Sequence, residues 1–339
     1  MITRKILSVR SIFAFAGHHL SWLTAWMLLV TAIYHFTGSK FITMPVLPLT
    51  LLGTAVAFYV GFKNNQSYDR LWEARKIWGT IINNSRVLGT MIKNLHAEGA
   101  DISETAALRK QFVFRHIYYL YQLRNQLLIP TQWEHVSLGL RFGTFNQKRQ
   151  DQIFGAYATE LNEVAQKNYI PENEKEGLSK FANKATQLLD KQTQMVQQLF
   201  SNKQVNMMQQ MELQNVINSF YQEQGKAERI KKFPLPRQYS SFSFLFVCIF
   251  VFLLPFGLVG PVSALGKEMV WMTVPAGVIV GWVYVVMEMI GDYSENPFEG
   301  LFNDIPMLNI CRTIEIDLLQ MIGEDNVPKP IDPKNNILM

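Results

Sequence analysis

The stretch FITMPVLPLTLLGTAVAFYVGF, residues 41–62, contains no Asp, Glu, Lys, Arg or His. Directly after it, residues 63–86 read KNNQSYDRLWEARKIWGTIINNSR, which is dense in charged side chains and holds two Trp. A hydrocarbon core of about 30 Å is crossed by roughly 20 apolar residues in an α-helix. The change in composition therefore predicts a helix that crosses a bilayer and leaves it as a charged helix.

Three further stretches of the chain, residues 20–36, 240–260 and 269–287, are apolar enough to predict membrane spans. The whole chain has a mean hydropathy of only +0.04 and 17% charged residues, against about 25% in soluble domains. The mean is low because a long polar middle separates the spans. We therefore predict four transmembrane helices and a large extramembrane part.

Charge around the spans predicts their orientation. Basic residues flank the first two spans on one side, namely Arg4, Lys5, Arg10, Lys63, Arg70, Arg75, Lys76 and Arg86. The short connectors on the other side carry only Lys40 and Lys267. By the positive-inside rule, both termini and the polar middle face the cytoplasm. The net charge of +5 is spread along the chain and does not indicate a nucleic-acid partner.

The polar middle is sparse in Gly and Pro, and its apolar residues recur at helical spacing. No alternating strand pattern is present, so the predicted fold class is all-α. The predicted organisation has five parts: an N-terminal interfacial segment 1–19, transmembrane helices one and two at 20–62, a cytosolic helical domain 63–238, transmembrane helices three and four at 239–291, and a post-membrane belt with the C-terminal tail at 292–339.

Two stretches resemble the bestrophin family of ion channels, and more narrowly its bacterial members. They are FKNNQSYDRLWEARKIWGTIINNSR, residues 62–86, and GDYSENPFEGLFNDIPMLNICRTIEIDLLQMIG, residues 291–323. The resemblance covers roughly residues 15–325. It implies a homopentamer in the bacterial inner membrane, with one central pore that passes monovalent ions and is lined first by the second span. It implies no cofactor.

Thr54, Phe58 and Phe62 recur every four residues and therefore share one helix face. The resemblance implies that they form the neck of the pore. Apolar constrictions gate by dewetting, and aromatic ring edges carry partial positive charge. This favours anions, chloride above all; the alternatives are a monovalent-cation channel of the same fold, or Phe side chains that simply pack on neighbouring helices.

Two further predictions concern the charged helix after the second span, from its spacing, and a second constriction that the resemblance implies. Arg70, Glu73 and Arg75 are predicted to form buried ion pairs between helices, the alternative being a solvated amphipathic helix. Met208 is predicted to form a second constriction, the cytosolic aperture, although methionines at helical spacing are more often core residues.

Animal bestrophins bind Ca²⁺ through an acidic cluster directly after Asn-Pro-Phe. Leu301, Phe302 and Asn303 stand at places that are acidic in those relatives, and only Asp304 remains. Ca²⁺ requires six to eight oxygen ligands. We therefore predict no metal site and no calcium activation, with Asn303 and Asp304 capping the following helix instead.

The predicted post-membrane belt contains Asp292, Glu295, Asn296 and Asp304. Asp292 and Glu295 are expected to tie this belt to the N-terminal segment. Glu288 and Asp292 lie four residues apart at the end of the fourth span, which fits the ion site of a secondary transporter. Because they are terminal, we expect both to extend into the interface.

Enzyme motifs are absent from the sequence: it has no Walker loop, no His-Glu-x-x-His and no Gly-x-Ser-x-Gly. We therefore predict that the chain is not an enzyme. Two alternatives to a channel stay open at this point. One is a secondary transporter, which usually carries an internal repeat; the other is a non-conducting membrane scaffold whose helical domain binds a partner.

Overall fold

The computed structural model describes residues 1–95 and 102–339, and this part of the chain is helical throughout. Its α-helices are α1 Val9–Ala16, α2 His18–Thr37, α3 Val46–Lys93, α4 Ile102–Leu127, α5 Leu140–Ala156, α6 Ala158–Gln166, α7 Glu172–Ser179, α8 Lys184–Ser201, α9 Met207–Lys232, α10 Arg237–Ser263, α11 Thr273–Asp292 and α12 Met307–Met321. Within the described ranges, β-structure is limited to isolated bridges near the chain ends. The all-α prediction is confirmed.

Four segments are long and apolar enough to cross a membrane: His18–Thr37, Val46–Lys93, Arg237–Ser263 and Glu268–Asp292. The predicted number of spans is therefore confirmed. The second helix differs most from its predicted stretch. It begins at Val46, after Pro45, and continues without a break for 48 residues. At 1.5 Å per residue this is about 72 Å, more than twice the thickness of a hydrocarbon core.

The chain separates into two compact units. The span unit consists of Arg4–Arg70 and Pro234–Asn296, and the bundle unit of Met1–Thr3, Leu71–Phe233 and Pro297–Met339. The predicted boundary after residue 62 falls inside α3, because the helical hydrogen bonding of α3 continues past the end of its apolar stretch.

In the span unit, α11 packs against both α2 and α10. The buried core is aliphatic and aromatic: Leu23, Met27, Leu49, Val56, Val60, Val247, Phe250, Val251, Leu254 and Val285. The residues at two helix boundaries of this unit are typical of such positions. Gly38 ends α2 in the left-handed conformation at φ 60°, and Pro236 immediately precedes α10.

In the bundle unit, α4 packs against α8, α9 and α12. Its core includes large side chains such as Trp78, Phe112 and Phe220. The C-terminal tail, residues 324–339, packs on this same unit. The Tyr157 hydroxyl donates to the Ile337 carbonyl at 2.6 Å, and Lys334 pairs with Glu160.

Candidate functional site: the exposed face of α3 and the charge clusters behind it

Helix α3 has two contrasting faces within the span unit. Phe58 and Phe62 are 67% and 68% exposed, and Thr54 on the same face is also exposed. On the opposite face, Val60 is fully buried and Lys63 is 2% exposed. The i, i+4 spacing therefore places the three predicted neck residues together on the unpacked side. Their role as a neck stays a prediction.

Thr54 contributes a polar atom to this exposed face. Its hydroxyl donates to the Thr50 carbonyl at 2.9 Å, one turn earlier in α3. The hydroxyl proton is thus used within the helix, and the oxygen lone pairs are what Thr54 presents outward.

A buried carboxylate, Glu288 on α11, lies behind the exposed face. Lys63 donates to one of its oxygens and Ser243 on α10 donates to the other. The side chains of Lys63 and Glu288 are 1% and 8% exposed, and Asp292 lies 3.9 Å from the Lys63 Nζ. We call these four residues the Glu288 cluster. The expectation that Glu288 extends into the interface is wrong, because Lys63 compensates its charge inside the unit.

A second buried carboxylate, Glu295, lies just after α11. It accepts from Ser240 at 2.5 Å and from Arg237 at 3.2 Å, while Arg70 Nε donates to its backbone carbonyl at 2.8 Å. We call these residues the Glu295 cluster. Burial raises the pKa of the Glu295 carboxyl above its ordinary value, and the Ser240 hydrogen bond opposes that shift. The carboxyl of Glu295 thus binds the start of α10 and not the predicted N-terminal segment.

The other belt residues of the span unit differ in exposure. The Asp292 side chain is 42% exposed. Asn296 is 8% exposed, and both its side-chain polar atoms are buried without a hydrogen-bond partner among the described residues. The contact of the N-terminal segment with this region is aromatic: the rings of Phe15 and Tyr293 meet edge to face at 5.3 Å.

The three residues predicted to pair between helices lie in different surroundings. Arg70 belongs to the Glu295 cluster. Glu73 pairs with Lys76 on its own helix at 2.7 Å, with exposed fractions of 36% and 57%. Arg75 is exposed. For Glu73 the bond within this chain is therefore local, and buried pairing with another helix stays a prediction.

Asp304, in the bundle unit, is a buried loop organiser. Its Oδ1 accepts from the backbone N–H groups of Phe298 and Ile305 at 3.0 and 2.7 Å, and its Oδ2 from that of Gly300 at 2.7 Å. Burial raises the pKa of the carboxyl, and the three amide bonds oppose the rise. The capping prediction is wrong, because Pro306 precedes α12 with no side-chain cap.

Met208 lies in the first turn of α9 and is 75% exposed. Its neighbours Met207 and Met211 are 66% and 55% exposed, so these methionines are not core residues of the chain. The aperture role of Met208 stays a prediction.

Sequence reasoning missed a buried carboxylate in the bundle unit. Glu315 is 0% exposed and accepts from Tyr121 at 2.5 Å, from Tyr169 and from Lys167 at 2.6 Å, with Arg312 Nε at 3.3 Å. Burial and the adjacent carboxylate raise the pKa of both Tyr hydroxyls. A signal was present, since the glutamate stands on the same helix face as apolar residues three and four positions away.

Within residues 1–95 and 102–339, no group of three or more His, Cys, Asp or Glu is arranged to hold a metal ion.

The chain matches the family model described as Bacterial/Fungal Bestrophin protein over residues 9–320. It belongs to this bestrophin family. The resemblance drawn from the two sequence stretches is thereby confirmed, and with four candidate spans this bestrophin is a multi-pass membrane protein.

Relatives span nearly the whole of this bestrophin. The voltage-dependent anion channel-forming protein YneE of Escherichia coli (strain K12) is 26% identical over 337 residues, covering 96% of this chain and 95% of the relative. A voltage-dependent anion channel-forming protein of Ralstonia nicotianae is 28% identical, covering 84% and 80%. The crystal structure of a bacterial bestrophin homolog from Klebsiella pneumoniae has a TM-score of 0.72 at 22% identity, covering 90% and 97%, which shows a shared fold.

Proposed function

We propose that the chain forms a bacterial inner-membrane channel for small monovalent anions, chloride in particular, as a homopentamer with one central pore. Two relatives that align with most of the chain are named as anion channel-forming proteins. The observation that carries the proposal is the exposed row of Thr54, Phe58 and Phe62 on a helix whose other face is packed.

The pore neck is the role that suits this row best. A face directed only at lipid has no use for a hydroxyl one turn before two apolar rings, whereas a pore lining uses both. In a fivefold assembly each position becomes a ring of five side chains. Two stacked Phe rings form a hydrophobic constriction, which gates by dewetting, and their edges favour a weakly hydrated anion.

The remaining parts of the proposal concern topology and regulation. Both termini and the bundle unit lie in the cytoplasm, following the distribution of Lys and Arg. Met208 lines the cytosolic aperture. The channel is not activated by Ca²⁺, because both oxygens of Asp304 are engaged by backbone N–H groups. Micromolar Ca²⁺ binding to the purified protein in calorimetry would contradict this last point.

A second candidate, a monovalent-cation channel of the same fold, is favoured by one observation. The Thr54 hydroxyl proton is held by the Thr50 carbonyl, so a ring of five Thr54 side chains presents oxygen lone pairs to the pore. Lone pairs attract cations. Selectivity therefore depends on whether the Thr54 ring or the two Phe rings dominate, and two aromatic rings against one hydroxyl ring favour anions.

The test is a reversal potential, measured for the purified protein in a planar bilayer with a several-fold KCl gradient. We expect a shift toward the chloride equilibrium potential. In the Phe58→Ala, Phe62→Ala double variant we expect weaker chloride preference and higher conductance. The matched control is Phe244→Ala, which truncates a Phe that is 63% exposed but lies on α10.

Each result has a definite consequence. A shift toward potassium in the wild type would keep the channel and replace anion selectivity with the second candidate. Equal effects of the α3 and α10 substitutions would remove the neck assignment. Saturating flux without unitary current steps would instead support a secondary transporter.

A further inference from the structure

The Glu288 and Glu295 clusters repeat one arrangement in the span unit. Each joins α3 and α10 to a glutamate of the α11 segment with a buried carboxylate: Lys63 binds the carboxylate of Glu288, and Arg70 binds the backbone carbonyl of Glu295. Lys63 and Arg70 are seven residues apart on α3 and therefore lie two turns apart on one side of it, while Glu288 lies on α11 and Glu295 just after its end. On α10, Ser243 belongs to the Glu288 cluster, and residues before it, such as Ser240, belong to the Glu295 cluster. The order is reversed because α10 runs in the opposite direction to α3.

We propose that the Lys63–Glu288 pair is a clamp that positions the neck residue Phe62 and thereby sets how readily the pore opens. The proposal rests on the proposed function, since it assigns a positioning role beside the pore constriction. Lys63 is a positioning residue: it is buried and does not itself line the exposed face.

The clamp residue Lys63 directly follows the neck residue Phe62 in the sequence. Phe62 and Lys63 are consecutive on α3, about 100° apart around the helix, yet one is 68% exposed and the other 2%. A rotation of α3 that moves Phe62 therefore also shifts the Lys63 ammonium relative to Glu288. The positions of Phe62 and Lys63 therefore both depend on the rotation of α3.

The second argument is that apolar packing alone fixes rotation weakly. Contacts among Val, Leu and Phe side chains are non-directional, whereas a buried ammonium is tolerated only where a carboxylate meets it. Among the described residues of the span unit, the buried charged side chains are Lys63, Glu288 and Glu295. All three belong to the two clusters, so orientation of α3 depends on few contacts.

The third argument is the close approach of α3 to α11 beside the clamp. Asn64 Nδ2 donates to the Met287 carbonyl at 3.0 Å. A Cβ atom added to Gly291 would lie 2.0 Å from Asn64 Oδ1, so only glycine leaves room for this contact. With no side chain between the helices, a displacement at Glu288 passes directly to α3.

The direction of the effect follows from the geometry. The clamp draws α3 toward α10 and α11 of its own chain, on the packed side of the helix and away from its exposed face. Without it, α3 loses the ion pair that draws it toward α11, and the Phe62 face moves toward the pore axis. A narrower apolar ring dewets more readily. Breaking the pair should therefore close the channel.

The experiment compares open probability in planar bilayers. We expect Lys63→Met and Glu288→Gln each to lower it at least fivefold, and Lys63→Arg, which retains the pair, to stay within twofold of wild type. The Lys63→Met, Glu288→Leu double variant leaves no buried unpaired charge, so it should fold like wild type and still open rarely. The matched control is Glu174→Gln, which breaks the buried Arg115–Glu174 pair of the bundle unit.

Wild-type open probability in Lys63→Met and Glu288→Gln, or in the apolar double variant, would overturn the clamp. Absence of current in the wild type would instead overturn the proposed function. A second readout then tests the clamp without conduction: the rate at which a charged thiol reagent modifies Phe62→Cys on a Cys248→Ser background. Slower modification when Lys63→Met is added supports the clamp, and an unchanged rate overturns it.

Discussion

The two units of the molecule bury charge in different ways. In the bundle unit, buried charged groups are numerous among the described residues and include Arg115, Arg124, Glu134, Glu223, Lys231, Glu299, Asp304, Arg312 and Glu315. In the span unit they are few and lie at one place, where Lys63 meets Glu288 and where Glu295 meets the start of α10. The difference follows from the solvent that each unit is built for.

A bundle in water folds by removing apolar surface from water, and that gain tolerates a desolvated polar cluster in its interior. Helices in lipid gain no such driving force from one another, because lipid tails are as apolar as Leu side chains. A few polar contacts then largely determine how each helix is rotated about its axis. We therefore expect buried charge to determine stability in the bundle unit and helix position in the span unit.

The largest expected effect is in the bundle unit. Glu315→Ala removes the buried carboxylate shared by Arg312 and Lys167, which keep only the 42%-exposed Glu163, and removing one partner of a buried ion pair typically costs about 3–5 kcal/mol. The measurement is the free energy of unfolding in detergent. The matched control is Asp317→Ala on the same helix: it breaks the partly exposed Arg86–Asp317 pair and should cost less than about 1 kcal/mol. Similar losses in both variants would show that the buried contacts of Glu315 do not determine stability.

The next largest effect on stability is expected in the span unit, where α3 and α11 approach closely. Gly291→Ala forces a Cβ to within 2.0 Å of Asn64 Oδ1, and overpacking of this kind costs about 1–3 kcal/mol. The control is Gly61→Ala on α3, where no heavy atom lies within 4 Å of the added Cβ, so the thermal midpoint should hold or rise. A Gly291→Ala midpoint equal to wild type would show that the Asn64 side chain moves aside without a loss of stability.

The contrast also explains what the sequence predicts and what it does not. Composition alone predicts the four spans, because bilayer thickness demands long apolar runs. The exposed face of Thr54, Phe58 and Phe62 follows from helical periodicity. Glu288 was misread because its position at the end of a span indicates an interfacial side chain, whereas its partner Lys63 is 225 residues away in the sequence.

Local rules fail at Asp304 for a related reason. An acidic residue shortly before a helix is typical of an N-cap, but here the loop turns back and the carboxylate binds Phe298, Gly300 and Ile305. The turn depends on a positive φ at Phe298, 72°, which no residue preference indicates. Contacts that depend on such a turn, or on distant parts of the chain, are the ones that pattern reasoning misses.

A pH experiment tests whether buried titratable groups control stability in the bundle unit. His116 is fully buried, its Nε2 lies 2.9 Å from the Ser85 hydroxyl, and burial lowers its pKa from 6.5 to about 3. Between pH 6.5 and about 3, the His116 imidazole is therefore protonated in the unfolded chain but neutral in the folded chain. Stability from this group is complete above pH 6.5 and falls by about 1.4 kcal/mol per pH unit toward pH 3.

The measurement is unfolding free energy against pH for wild type and His116→Gln. Between pH 6.5 and 4, we expect the free energy of unfolding of His116→Gln to depend less steeply on pH than that of the wild type, by about 1.4 kcal/mol per pH unit. Parallel slopes would mean that His116 is accessible to protons in the folded state.

The smallest effect concerns the surface of α3 and decides how Glu73 is used. Within the chain it pairs with Lys76, and both side chains are at least 36% exposed, so a double-mutant cycle with Glu73→Ala and Lys76→Ala should give a coupling of about 0.3–0.5 kcal/mol. The two single variants should then lose similar stability. A larger loss from Glu73→Ala than from Lys76→Ala would mean that Glu73 has a further partner on another helix. In that case the inter-helix ion pair predicted from the sequence would be correct, and the exposed pair within the chain only its local substitute.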